Sequence, residues 1–184
     1  MLVPRDAALR FISGRYFDVH DADPEIPYRD LIVVGGPERV TAACGYRRAS
    51  AGPLFLEAYL DQPVEQALRC HCGLAVARRD IVEIGNLAAE TAPAMIALWA
   101  RAANDLGGDA EIAVAVLTRP LRDMFARLGV SLVEMVPARP DRLGDEAARW
   151  GRYYALDPVV CVGSIAEGQQ RLARFAARAR RVPA

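Results

Sequence analysis

The chain has 184 residues, 53% of them hydrophobic, and its 23 basic and 23 acidic side chains cancel. That length suits one domain, residues 1–184, with enough apolar material for a core without disulfides. Balanced charge with high apolar content argues against disorder, and against nucleic acid or an anionic membrane surface as the main partner.

Met1 to Asp6 lacks the basic-then-apolar layout of a secretory signal. No apolar run approaches the ~20 residues of a membrane helix; the longest, Ala92 to Ala100, holds Pro93. A cytoplasmic location is the resulting expectation. Residues 5–18 are spaced for a helix, with Ala8, Phe11 and Ile12 on one side and Tyr16 a turn later. Asp21 to Pro27 is polar, with two prolines, and reads as a loop. Leu31 to Val34 is a short strand, Gly35-Gly36-Pro37 breaks it, and Arg39 to Arg47 returns as a hairpin partner. Leu54 to Leu60 is expected to be extended, which places Phe55, Glu57, Tyr59 and Asp61 on one side. Pro63 suits the first position of a helix that ends at Gly73, and Glu65 complements its positive end. In that helix Cys70-His71-Cys72 lacks the second cluster a metal site needs, so no metal is expected and the thiols read as part of a packed helix.

Arg79 to Leu87 reads as a central strand, apolar at Ile81, Val82 and Ile84. Thr91-Ala92-Pro93 opens a helix that closes at Gly107-Gly108. Ile112 to Leu117 is a strand, and Thr118 to Leu128 a helix stopped by Gly129. Leu132 to Val136 and Val159 to Val162 are further strands, with a short helix or turn at Asp145 to Trp150 between them. Ile165 to Arg180 is a basic amphipathic helix. Its arginines (Arg171, Arg174, Arg178, Arg180, with Arg181 beyond) read as a solvated face or as a site for a polyanion. Strands alternating with helices after residue 79 predict an α/β fold, a central mixed sheet with helices on both faces. The early hairpin predicts antiparallel first strands.

Several blocks carry a resemblance. Pro53 to Glu57, Tyr59-Leu60-Asp61, Pro63-Val64-Glu65, Ile81 to Ala88, Phe125 to Gly129, and Trp150-Gly151-Arg152-Tyr153-Tyr154 with Pro158 are similar in kind and order to the thermostable hemolysin family. They span roughly residues 10–172 of the chain. Leu121 to Val130 resembles the helix after the fifth strand of the GNAT N-acyltransferase superfamily. The resemblance implies a GNAT-like fold, a relation to acyl-homoserine-lactone synthases, and an N-acyltransferase. Such an enzyme would move an acyl group from an acyl-carrier protein or acyl-CoA to the amine of a small molecule, in secondary-metabolite or signal biosynthesis. The alternatives are a non-catalytic GNAT-fold module that binds an acyl carrier or partner protein, and direct membrane lysis, which no stretch of the composition supports. A monomer or homodimer is expected.

Acyl transfer to an amine needs a base, a donor for the oxyanion and a proton for the leaving thiolate. The resemblance implies that the thioester lies where the fourth and fifth strands splay, with Ile81 to Leu87 as the fourth. Gly85 is what a bulge or a close backbone approach requires. A bulge there would bring Glu83 and Asn86 to one side. Glu83 is then the expected general base and Asn86 the group that orients donor or amine; the alternative is a structural network around a buried Glu83. Gly85, Leu87 and Arg122 are the expected donor contacts, although Arg122 can equally pair with a carboxylate. Glu57, Tyr59 and Asp61 are expected to hold the amine, with helix capping as the other reading of Asp61. Tyr154 or Tyr153 is expected to donate the leaving-group proton or to hold substrate, with aromatic packing as the alternative. Phe125 stands where many GNAT enzymes have that tyrosine. His20, beside Asp18, Asp21 and Asp23, is a further expected substrate contact, whereas His71 reads as core or rim. The GNAT resemblance implies a cradle of glycine N–H groups and a basic residue for the pyrophosphate of coenzyme A after the fourth strand; here Ala88 to Pro93 has no glycine and contains Glu90, which favours a carrier-protein donor or a degenerate site.

Overall fold

The computed structural model describes residues 5–36 and 39–179. Pro37 of the expected hairpin break and Arg180 and Arg181 of the basic helix lie outside them. Helix α1 (Arg5–His20) buries Ala8, Ile12 and Tyr16, four residues apart and therefore on one face. Strands β1 (Asp30–Gly36) and β2 (Arg39–Arg48) pair antiparallel, as the hairpin reading requires. Helix α2 (Val64–Cys72) stops at Gly73, whose φ of 67° is the left-handed helix cap. Strand β3 (Ile81–Ala89), helix α3 (Ala92–Leu106), strand β4 (Ile112–Leu117) and helix α4 (Arg119–Leu128) then alternate. The Thr91 hydroxyl accepts from the Ala94 N–H at the start of α3, and Gly129 ends α4 at φ 72°. Strands β5 (Val133–Pro137) and β6 (Val159–Ser164) and helix α5 (Ile165–Ala179) are the last of the described elements.

The strand order is β1-β2-β3-β4-β6-β5, with β3–β4 the one parallel pair among the described strands. One face of the sheet, through Val82, Ile84, Ala115 and Leu117, packs on α3, α4 and α5. The other face, through Ile81, Val114, Val160 and Ala43, packs on α1, α2 and the short turns between elements. The mixed sheet with helices on both faces is therefore present.

Leu54 to Leu60 is not a strand. Residues Phe55–Tyr59 form a 3-10 turn. Two carboxylates satisfy its free N–H groups in place of a neighbouring strand: Glu57 accepts from Leu54 at 2.7 Å, and Glu83 accepts from Phe55 at 2.9 Å and Leu56 at 2.7 Å. The strand expected to be fourth is thus β3. The turn expected at Asp145 to Trp150 is a longer 3-10 segment, Pro140–Trp150, broken at Gly144, and Tyr153–Leu156 forms another. On α2, Cys70 and His71 are exposed and Cys72 is half-buried, so of the two thiols there only Cys72 packs at all.

Candidate active site

β3 and β4 pair only through Ile81–Glu83 and Ile112–Val114, although β3 continues to Ala89 and β4 to Leu117. Past Glu83 the strands part. A cavity of about 290 Å³ occupies the opening, walled by β3, the end of β4, α1 and the aromatic turns.

β3 reaches this cavity through an irregularity. Ala43 faces Ala88 and Gly45 faces Gly85, so β3 carries one extra residue against β2. Asn86 sits in that bulge with φ 47°. Gly85, expected to be the bulge residue, has no left-handed φ. Close approach is the reason for glycine there: a Cβ at Gly85 would lie 2.1 Å from the Tyr28 hydroxyl. With the bulge, Glu83 and Asn86 both line the cavity.

Glu83 is 1% exposed. Besides the Phe55 and Leu56 N–H groups, which donate to it, the Tyr28 hydroxyl and the Arg47 guanidinium lie nearby. Burial pushes its pKa above the usual carboxylate range, and these four groups pull against that without reversing it. The result is a fixed carboxylate that is a stronger base than a solvated one. Asn86 is 6% exposed, and its Nδ2 has no hydrogen-bond partner among the described residues. An unpaired buried amide N–H costs about 1–3 kcal/mol, so this one is a donor kept free at the cavity wall.

Gly85 and Leu87 of β3, His20 of α1, and Tyr59 and Tyr153 also line the cavity. His20 packs edge-on to Tyr153, ring centres 5.4 Å apart; burial, then Arg152 and Arg15, lowers its pKa, which favours neutral imidazole. Tyr154 does not line the cavity, but its hydroxyl lies 2.7 Å from that of Tyr59. Burial raises the pKa of Tyr59, Tyr153 and Tyr154, so all three are neutral phenols.

Three expected site residues lie elsewhere, for local reasons. Glu57 accepts from the Leu54 and Val64 N–H groups and forms a two-pronged pair with Arg78. It, and not Asp61, caps α2. Asp61 is exposed and pairs with Arg142 at 2.8 Å. Arg122 is buried, bonded to the carbonyls of Leu117 and Asp157 and to the carboxylates of Glu134 and Asp157. Conversely, Tyr28, Arg15 and Trp150 line the cavity without having been singled out for it. Trp150 had a signal, its place in the Trp-Gly-Arg-Tyr-Tyr block. Tyr28 had none, since its glycine partners become visible only once the β2–β3 register is known. No helix among the described residues is long and apolar enough to cross a membrane.

Solved structures share this fold. FeeM, an N-acyl amino acid synthase from uncultured soil microbes, is 11% identical over 95% of this chain and 94% of its own, with a TM-score of 0.62. MesI, a CoA-dependent acyl-homoserine lactone synthase, is 12% identical over 94% and 89%, with a TM-score of 0.57. The AHL synthase LasI is 15% identical over 90% and 85%, with a TM-score of 0.58. The fold is GNAT-like. No curated protein sequence matches the chain. The thermostable hemolysin family matches residues 3–169, and with the order of motifs and the fold in agreement the chain belongs to that family.

Proposed function

We propose that this protein is an N-acyltransferase that moves an acyl group from a thioester carrier to the amine of a small molecule. The observation that carries the reading is the cavity where β3 and β4 part, with the buried Glu83 carboxylate and the unpaired Asn86 amide on one wall. In this reading Asn86 Nδ2 donates to the thioester carbonyl and holds the developing oxyanion. Glu83 takes a proton from the attacking amine, directly or through a water. The neutral phenols of Tyr59 and Tyr154, hydrogen-bonded to each other, supply a proton to the departing thiolate. FeeM and MesI, whose descriptions name an N-acyl amino acid synthase and an acyl-homoserine lactone synthase, lend the reaction class support.

The donor fits an acyl carrier protein better than coenzyme A. At the start of α3, Thr91 takes the Ala94 and Met95 N–H groups and Pro93 has none. Glu90 beside them is paired with Arg39 at 2.8 Å. Few donors remain there for a pyrophosphate. The same feature favours the second reading, a non-catalytic module that binds a carrier. Mass spectrometry of the protein with acyl-carrier-protein and acyl-CoA donors and a panel of amines separates the two. Amide product that disappears in Glu83→Gln supports the enzyme; donor bound but never consumed supports the module.

A further inference from the structure

Gly45 of β2 and Gly85 of β3 are direct cross-strand partners, and neither has a left-handed φ. Their missing side chains have another cause. A Cβ on Gly45 would lie 2.4 Å from the near end of the Tyr28 ring, and one on Gly85 would lie 2.1 Å from its hydroxyl. The ring therefore spans both strands, resting on two glycines. Two residues along the same face, Arg47 stands opposite Glu83. The Tyr28 hydroxyl thus ends over Gly85, two residues from Glu83 on the same face of β3, while the Arg47 guanidinium lies 5.8 Å from the ring centre. The segment is braced from three sides: Arg47 bonds to the Pro27 carbonyl, Arg5 to the carbonyl of Tyr28 at 2.8 Å, and Arg149 to that of Asp23 at 2.9 Å. Tyr28 is 3% exposed yet lines the cavity. Packing alone needs no glycine pair, because a smaller side chain would fill the space over two alanines.

We infer that Tyr28 is a positioning residue for acyl transfer, seated on the Gly45–Gly85 pair so that its hydroxyl donates to Glu83 and holds that carboxylate toward the amine. The inference rests on Glu83 acting as the base. Gly85 then serves the reaction through Tyr28 rather than through the acyl donor. The groups facing Glu83 are Arg47 from β2, Tyr28, and Tyr59 from the 3-10 turn, and His20 of α1 shares the cavity. Of these phenols, Tyr28 draws the Glu83 pKa down. Without it, burial acts with less opposition and the carboxyl protonates at higher pH.

The test is Tyr28→Phe, which keeps the ring and removes the hydroxyl, with Gly85→Ala as a second variant that displaces the ring. Two readouts are taken: the pH dependence of kcat/KM for amide formation, and a carbon-13 NMR titration of carboxyl-labelled glutamate, with Glu83→Gln assigning the signal. The inference expects both the Glu83 titration and the acid limb of the profile to move up by about 1 pH unit in Tyr28→Phe, the size of one lost charged hydrogen bond. Gly85→Ala is expected to move them the same way. An unmoved Glu83 signal overturns the contact. A moved signal with an unmoved acid limb overturns the positioning role. Wild-type protein that acylates no amine defeats the underlying reading, and the titration distinguishes that failure from loss of the contact.

Discussion

Asn86 carries two costs that a purely structural residue would shed. Its φ of 47° is a left-handed conformation, about 1 kcal/mol unfavourable for a residue with a Cβ. Its buried Nδ2 lacks a partner, worth about 1–3 kcal/mol. Asn86→Gly removes both, while extra chain freedom takes back roughly 0.5–1 kcal/mol and lost side-chain burial about 0.8 kcal/mol. The net is a stabilisation of about 1 kcal/mol, or a rise in Tm of roughly 2–4 °C for a chain of this size. If the amide holds the oxyanion, the same substitution lowers the rate of amide formation by about 100- to 1000-fold. Thermal unfolding and product formation measured on one preparation read both numbers. A variant with lower Tm and unchanged turnover would instead show Asn86 to be a bulge residue that the fold needs and the chemistry ignores.

Other outcomes follow from the surrounding scaffold. Arg78→Ala strips the two-pronged pair with Glu57, the bond to Glu65 and bonds to the Ala49 and Gly52 carbonyls, and should cost roughly 2–3 kcal/mol in chemical denaturation. Burial works to raise the Glu57 pKa, but Arg78 and two backbone N–H groups overcome it and the net shift is downward. Glu57 therefore adds stability above its unfolded value of about 4.3, lost as pH falls through the lowered folded value. The slope of stability against pH below that value should flatten in Arg78→Ala; an unchanged slope would show that Arg78 does not hold Glu57. Gly151→Ala places a Cβ 2.3 Å from the Asp21 carbonyl oxygen at a φ of 51°. It should cost roughly 2 kcal/mol and weaken amine saturation, because Trp150 and Tyr153 flank it on the cavity wall.

The run from Ile81 to Gly129 was legible because its signals are local. Pro93 and Pro120 stand in the first helical turns, Thr91 caps α3 and Gly129 closes α4 in the left-handed conformation. Leu54 to Leu60 misled because Phe55, Leu56, Tyr59 and Leu60 suit a strand as well as a packed turn, and the deciding group, Glu83, lies 28 residues from Phe55. The apolar run around Glu83 did show that a carboxylate there must be held. The groups around it, two N–H groups of the turn and a phenol over two glycines, belong to a register no local pattern reveals. Arg122 and Glu57 went astray for the same reason: charged residues in motif-like positions are indistinguishable by sequence from those that tie distant segments together.

On the proposed function, the parted strands enclose an acyl-transfer site with Glu83 as its base. Formation of amide from an acyl-carrier-protein thioester, measured by mass spectrometry for wild-type protein and Glu83→Gln across pH, tests it most directly. Wild-type protein should give amine-dependent product whose rate rises through a carboxyl pKa above the usual range, with near-complete loss in Glu83→Gln. Equal product from both proteins would contradict it.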